Sequence, residues 1–196
     1  MKVFSTKNIA GMAVFSAISF LVYLIEIPIF AATPVSFLKL DLSNVFVLLA
    51  GFMYGPIPAL IVSLVKELLH ILVGTTGGVG EFANIIITAF YILIPTIAYR
   101  KKKGLKIVII TLVLGCIVQS FISLLVNRFI NFPFFLGGAP FIPTESSDAF
   151  YFSVWYFILI FNFIKSVVVS VITVLIYKKT SYLFKKINLQ NSAKDV

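Results

Sequence analysis

Apolar residues run in long stretches along this chain, and charges, prolines and glycines fall mostly between them. Six stretches read as helical spans, at roughly 8–28, 43–54, 57–73, 82–99, 105–129 and 150–177. The second holds about twelve residues before Gly55-Pro56. At about 1.5 Å per residue that is too short to cross about 30 Å of hydrocarbon upright. It is expected as a buried half-span packed on its neighbours or as one arm of a hairpin with 57–73. The other five are long enough to cross alone. The pattern predicts an all-α integral membrane protein, a six-transmembrane-helix bundle forming a single membrane domain over residues 1–196.

Composition narrows the class. Hydrophobic residues make up 60% and charged residues 12% of 196 positions, with 21 phenylalanines. A globule of this length has too little interior to hide that much apolar surface from water. A soluble enzyme, a disordered chain and a nucleic-acid-binding domain are poor readings; the solvent is a lipid bilayer. The net charge of +9 then has to be located. With both termini in the cytoplasm, twelve of the sixteen bases fall in cytoplasmic segments, chiefly Lys2, Lys7, 100–106, Lys178, Lys179, Lys185, Lys186 and Lys194. Asp195 is the one acid among them. That is a positive-inside signature, and the basic surplus marks topology instead of a nucleic-acid patch. The first stretch is nearer twenty residues than the length of a signal-peptide core, so it is read as a retained span. The single cysteine, Cys116, allows neither an internal disulfide nor a cysteine metal site.

The informative positions are the polar ones inside the spans, where they are costly and usually face the protein interior or a water-filled cavity. Ser63, Lys66, Glu67 and His70 share one face of the third span. Gln119, Ser123 and Asn127 form a stripe on the fifth, ending beside Arg128, and Asn162, Lys165 and Ser166 share a face of the sixth. Any one of them can serve as interhelical glue. Lys66 and Glu67 can form a structural ion pair, although neighbours in sequence point apart on a helix. Their common depth on three helices predicts a polar pocket open to the extracellular side.

Two outer loops agree. Residues 74–80 read Gly-Thr-Thr-Gly-Gly-Val-Gly and run into Glu81-Phe82-Ala83-Asn84; such glycines permit tight turns and close backbone approach to a ligand. No Gly-Lys-Ser/Thr follows, so this is not a nucleotide loop. Residues 34–44 alternate apolar and polar, which suggests a short extended lid, and Asp41 or Ser43 is expected to cap the second span.

Catalytic readings are thin. Glu67-Leu68-Leu69-His70 is a Glu-x-x-His pair of the kind used in di-metal bundles. Such sites need further carboxylates, and Glu26 is the only other deep acid. No hydrolase or zinc-protease motif is present, and nothing in the cytoplasmic segments suits ATP. No enzymatic activity is expected, and a transport role requires an ion gradient or a partner's energy. Ala10, Ala13 and Ala17 give the first span a small-residue face that another helix can approach, in a partner or in the same bundle.

Four segments carry a resemblance. They are Ala13-x-x-x-Ala17, then Leu40-Asp41-Leu42-Ser43-Asn44, then Lys66-Glu67-Leu68-Leu69-His70 with Gly77-Gly78-Val79-Gly80-Glu81-Phe82-Ala83-Asn84, and Asn162-Phe163-Ile164-Lys165. In these the chain resembles the S components, the substrate-capture subunits of energy-coupling factor (ECF) vitamin transporters, and most closely the riboflavin-binding members. It departs in having Asn44 where the family often has a second acid, and Glu67 where it has an asparagine. The resemblance implies a six-helix bundle in the bacterial plasma membrane that takes riboflavin from outside. It also implies docking on a membrane coupling subunit and two cytosolic ATPase subunits; ATP is used by those partners and no cofactor is needed. Asn127, Asn162 and Lys165 would hold the isoalloxazine ring. Leu40, Asp41, Ser43, Lys66, His70, Gly80, Phe82 and Asn84 would complete the substrate-binding set, and Ala13 and Ala17 would face the coupling subunit. The residues by themselves leave open another vitamin (folate, thiamine or pyridoxal type), a membrane-embedded metal enzyme using Glu67 and His70, and a solitary gradient-driven carrier.

Overall fold

A computed structural model describes residues 4–192, with side chains through 179. The architecture is helical apart from one two-stranded ribbon. α1 (Thr6–Tyr23) starts at Ser5, whose side chain accepts the Asn8 amide at 3.3 Å. It buries only Asn8, Met12, Ser16, Ser19 and Tyr23, a narrow stripe at helical spacing. Gly11, Phe15, Phe20 and Val22 are half-buried, and the remaining positions, including Ala13 and Ala17, are exposed. The helix stops five residues short of the expected 28. β1 (Ile27–Pro28) and β2 (Lys39–Leu40) pair antiparallel immediately afterwards. The expected extended lid over 34–44 is extended only at 39–40; turns fill most of 29–37.

α2 (Asn44–Tyr54) is buried along nearly its whole length, from Asn44 to Phe52. Helices apolar on every side need such a position. It packs against α1, α3 (Pro56–Ile71), α4 (Val79–Lys101) and α7 (Glu145–Ser192). It is a buried half-span and also one arm of a hairpin with α3, so both expected placements hold. Gly51 sits against Thr96 of α4 so closely that a Cβ would collide with its methyl group, and Gly55, at φ 108°, reverses the chain before Pro56 opens α3. α3 has 16 residues, about 24 Å. The expectation that five stretches are long enough to cross is therefore corrected: among the described residues four helical segments are, Thr6–Tyr23, Val79–Lys101, Leu105–Phe135 and Glu145–Lys179.

α5 (Leu105–Val126) continues into a π turn, Asn127–Asn131, and a last short helix, α6 (Phe132–Phe135). Pro133 has no amide to give Phe129, so that carbonyl is released from the helix. The Phe141 amide takes it at 2.5 Å, folding the 137–142 turn back onto the π segment. α7 starts at Glu145, five residues before the expected 150. Thr144 and Ser147 cap it reciprocally, each side-chain oxygen accepting the other's backbone amide at 3.2 and 2.8 Å.

The helix order puts the starts of α2, α4 and α7 and the ends of α1, α3 and α5 at one end of the bundle. At the other, the rings of Phe52, Tyr99 and Tyr177 meet edge to face at 5.1–5.7 Å, and the Tyr177 hydroxyl donates to Tyr99 at 3.0 Å. The 100–106 basic segment and Lys178 belong to this second end.

Candidate functional site

The first end encloses a cavity of about 520 Å³. Seven of the expected site residues line it: Asp41, His70, Gly80, Asn84, Asn127, Asn162 and Lys165. The sequence reading missed Tyr23, Glu26, Lys39, Glu81 and Asn131, which also line it, together with an apolar wall that includes Phe37, Phe132, Phe150 and Phe161. Asn131 was within reach of the sequence, because it extends the 119–123–127 stripe by one more step of four.

The floor of the cavity is an ion pair between distant segments. Lys165 Nζ of α7 lies 2.6 Å from Asp41 Oδ2, just before α2. Burial alone would push the Asp41 carboxyl up. The ammonium groups of Lys165 and Lys66, with the hydrogen bonds from Lys165 and Ser43, overcome that and hold it well below the usual carboxylate range. Asp41 Oδ1 also accepts the Ser43 amide at 3.0 Å and the Ser43 hydroxyl. Asp41 is thus the residue that serves the start of α2; Ser43 makes no side-chain cap.

Lys66 lies behind this floor and does not line the cavity. Its ammonium donates to Ser43 Oγ at 3.0 Å and Asn44 Oδ1 at 3.1 Å, and stands 2.9 Å from Glu67 Oε1. Two of its N–H groups thus have hydrogen-bond acceptors, and the Glu67 carboxylate is an ion-pair partner. The flexible lysine stem curls back to its sequence neighbour, so the objection that 66 and 67 point apart does not hold. The Lys66–Glu67 contact closes off hydrogen-bond geometry, and neither Glu67 oxygen accepts a hydrogen bond. Asn44 in turn donates to Thr88 at 3.2 Å, and Ser19 to the Ser43 carbonyl at 2.8 Å. Ser43 and Lys66 thus support the site from behind. Leu40 packs in the apolar cluster with Phe132 and Ile158 and is not part of the lining. Phe82, 47% exposed, turns outward from the bundle; it starts an α4 turn whose inward positions are Glu81 and Ala83.

The rim is tied by a second polar chain. His70 Nδ1 lies 2.9 Å from Glu81 Oε1, and Glu81 also accepts the Thr76 hydroxyl. A carboxylate can only accept, so Nδ1 donates this hydrogen bond. Nε2 faces Glu26 at 3.8 Å, and Glu26 pairs with Lys39 at 2.6 Å. Tyr23 stacks on His70 with centroids 3.8 Å apart, places its ring 4.7 Å from the Lys66 ammonium, and accepts from Asn84 at 2.6 Å. The glycine loop, α1 and the ribbon are thereby joined around one opening.

The amides on the far wall have fixed polarity. Asn162 Nδ2 donates to the Ile158 carbonyl at 2.9 Å, and Asn127 Nδ2 to the Ser123 carbonyl at 2.8 Å. Both side chains line the cavity with their N–H group partly spent on their own helix.

A family model described as "ECF transporter, substrate-specific component" matches residues 7–177. The chain belongs to that family. It is 32% identical over 181 residues to the riboflavin transporter RibU of Staphylococcus aureus (strain TCH60), covering 92% of this chain and 94% of the relative. It is 30% identical over 179 residues to the riboflavin transporter FmnP of Bacillus subtilis (strain 168), covering 88% and 91%. The fold matches a solved structure described as the S component of a bacterial ECF transporter, at TM-score 0.76 and 31% identity, over 91% of this chain and 98% of the other. ECF substrate-specific components are transport proteins, which removes the metal-enzyme alternative. The geometry also contradicts it: Glu67 turns to Lys66 while His70 turns to Glu81, and no group of three His, Cys, Asp or Glu side chains among the described residues is arranged to hold a metal ion.

Proposed function

We propose that this protein captures riboflavin at the extracellular face of a bacterial plasma membrane and delivers it through an ATP-driven ECF module. In this reading the chain is one membrane domain of six helices with both termini in the cytoplasm. The basic end, with 100–106 and Lys178, faces the cytoplasm, and the cavity faces outward. Exposed Ala13 and Ala17 on α1 would meet the membrane coupling subunit, which in turn carries two cytosolic ATPases.

The observation that carries the reading is chemical. An isoalloxazine imide edge presents carbonyl, N–H and carbonyl. Its complement is a donor, an acceptor and a donor. Lys165 supplies ammonium protons beyond the one given to Asp41, Asn162 retains an amide oxygen, and Asn127 retains an N–H. The Phe132 and Phe161 side of the cavity offers the apolar wall that the dimethylbenzene end needs. The identity to two riboflavin transporters supports the same cargo.

An uncharged cargo fits the charge balance better than a phosphorylated one. Each base lining the cavity already faces a carboxylate: Lys39 with Glu26, His70 with Glu81, Lys165 with Asp41. A phosphate would have to break one of these pairs.

The test is titration of purified protein with riboflavin, followed by quenching of flavin fluorescence. Saturable quenching is expected, with FMN competing much more weakly. A preparation that fails to quench riboflavin, but binds another vitamin, would replace the cargo and keep the family.

A further inference from the structure

Asn127 spends its Nδ2 on the Ser123 carbonyl, 2.8 Å away. A backbone carbonyl only accepts, so the amide NH₂ must face it and Oδ1 must point the other way. That oxygen accepts Asn131 Nδ2 at 3.0 Å. The second amide is oriented in turn: its NH₂ faces Asn127, and its Oδ1 is left at the end of the chain. Asn131 lines the cavity, yet its Oδ1 is enclosed and has no donor against it. An enclosed acceptor without a donor costs about 1–3 kcal/mol, and few buried polar groups are left that way.

The backbone sets this up. The π turn Asn127–Asn131 closes with the Phe132 amide on the Asn127 carbonyl, and such turns recur at functional sites. Asn162 gives the contrast. It also donates to its own helix, but no protein donor reaches its Oδ1 among the described residues, so it offers that oxygen directly. At Asn127 the equivalent oxygen is consumed, and the accepting position moves one turn on to Asn131.

We propose that Asn131 is a further specificity-determining residue, the terminal acceptor of a one-way amide relay from Ser123 through Asn127. It takes an N–H or O–H donor from the cargo and disfavours groups that can only accept. The inference rests on the flavin reading of the cavity, where Asn162 takes the imide N–H and the remaining donors are the ribityl hydroxyls. Oδ1 is enclosed, so accepting a cargo donor requires the Asn131 side chain to turn toward the cavity.

The experiment titrates riboflavin, its N3-methyl derivative and a series of singly deoxygenated ribityl analogues against the wild type and Asn131→Ala. One analogue is expected to bind the wild type at least tenfold more weakly than riboflavin does. Asn131→Ala should bind that same analogue and riboflavin equally. Losses of the same factor in wild type and variant for every analogue would overturn the relay while leaving the flavin reading intact. A wild type that binds no riboflavin would overturn both. If Asn131→Ala does not fold, Asn131→Leu is read by the same criterion, since it fills the same space and carries no side-chain acceptor.

Discussion

Lys165 and Asp41 stand 124 residues apart in sequence and 2.6 Å apart in space, one on α7 and the other just before α2. Their pair fixes the floor of the cavity and joins the longest helix to the most deeply buried one. Removing one partner of a buried pair leaves the other charge uncompensated, at about 3–5 kcal/mol. Lys165→Ala is therefore expected to lower the melting temperature in detergent and to weaken riboflavin binding at least tenfold, about 1.4 kcal/mol. The double variant Lys165→Met/Asp41→Leu should recover much of the stability and none of the affinity. Unchanged affinity in Lys165→Ala would remove Lys165 from the binding surface.

The same pair predicts a pH dependence. The Asp41 carboxyl is held below its ordinary range in the folded protein. The group therefore stabilises the fold fully above the unfolded value of about pH 4. That contribution declines as the pH falls from there toward the lowered folded value. The difference in melting temperature between wild type and Asp41→Asn should be flat from pH 7 to about pH 5 and shrink below about pH 4. A difference that grew on acidification would contradict the assignment.

Ala13 is exposed on α1 and remote from the cavity lining. Ala13→Trp should leave riboflavin affinity within about twofold while reducing uptake in cells that supply the ECF module. Loss of binding in the purified variant would instead assign Ala13 to packing within the bundle.

Phe82 provides the converse case. It belongs to the glycine-loop segment, but its ring turns away from the cavity. Phe82→Ala is expected to leave the binding constant unchanged, since surface substitutions usually stay within about 0.5 kcal/mol. A tenfold loss would mean that the start of α4 rotates inward when the cargo binds.

Lys66 tests the distinction between lining and support. Lys66→Met removes the donor to Ser43 and Asn44 and leaves the enclosed Glu67 carboxylate without its cation. The expected result is a loss of stability larger than that of Lys165→Ala. Riboflavin added in excess should restore part of the melting temperature, because a ligand that binds only the folded state stabilises it by mass action.

The helices were legible in the sequence because their cause is local. A bilayer excludes unpaired backbone, so a long apolar run has to become a helix, and its charges collect where the runs end. The polar stripes were legible for a related reason: helical spacing puts Ser63, Lys66 and His70, or Gln119, Ser123 and Asn127, on one face before any partner is known. Helix ends were less so. α1 stops at Tyr23 because the ribbon pairs next, and α7 starts at Glu145 because Thr144 and Ser147 cap each other; neither is an apolar signal.

What the tertiary structure decided is which polar groups face a ligand and which face one another. Lys66 and Lys165 look alike in the sequence, each an isolated base in an apolar helix. The folded chain gives Lys66 three oxygens within 3.1 Å, and gives Lys165 one carboxylate at the cavity floor. A lysine stem reaches several ångströms in any direction, so spacing along a helix cannot predict where its ammonium ends. The same holds for the amides: the stripe on α5 marks Asn127, but only the π turn and the Ser123 carbonyl determine that Asn131 holds an unpartnered oxygen beside the cavity. The sequence by itself determined the solvent, the helices and the polar inventory, since these follow from transfer free energies along one chain. The assignment of that inventory to floor, rim and support depended on contacts between segments up to 124 residues apart, which only the folded geometry supplies.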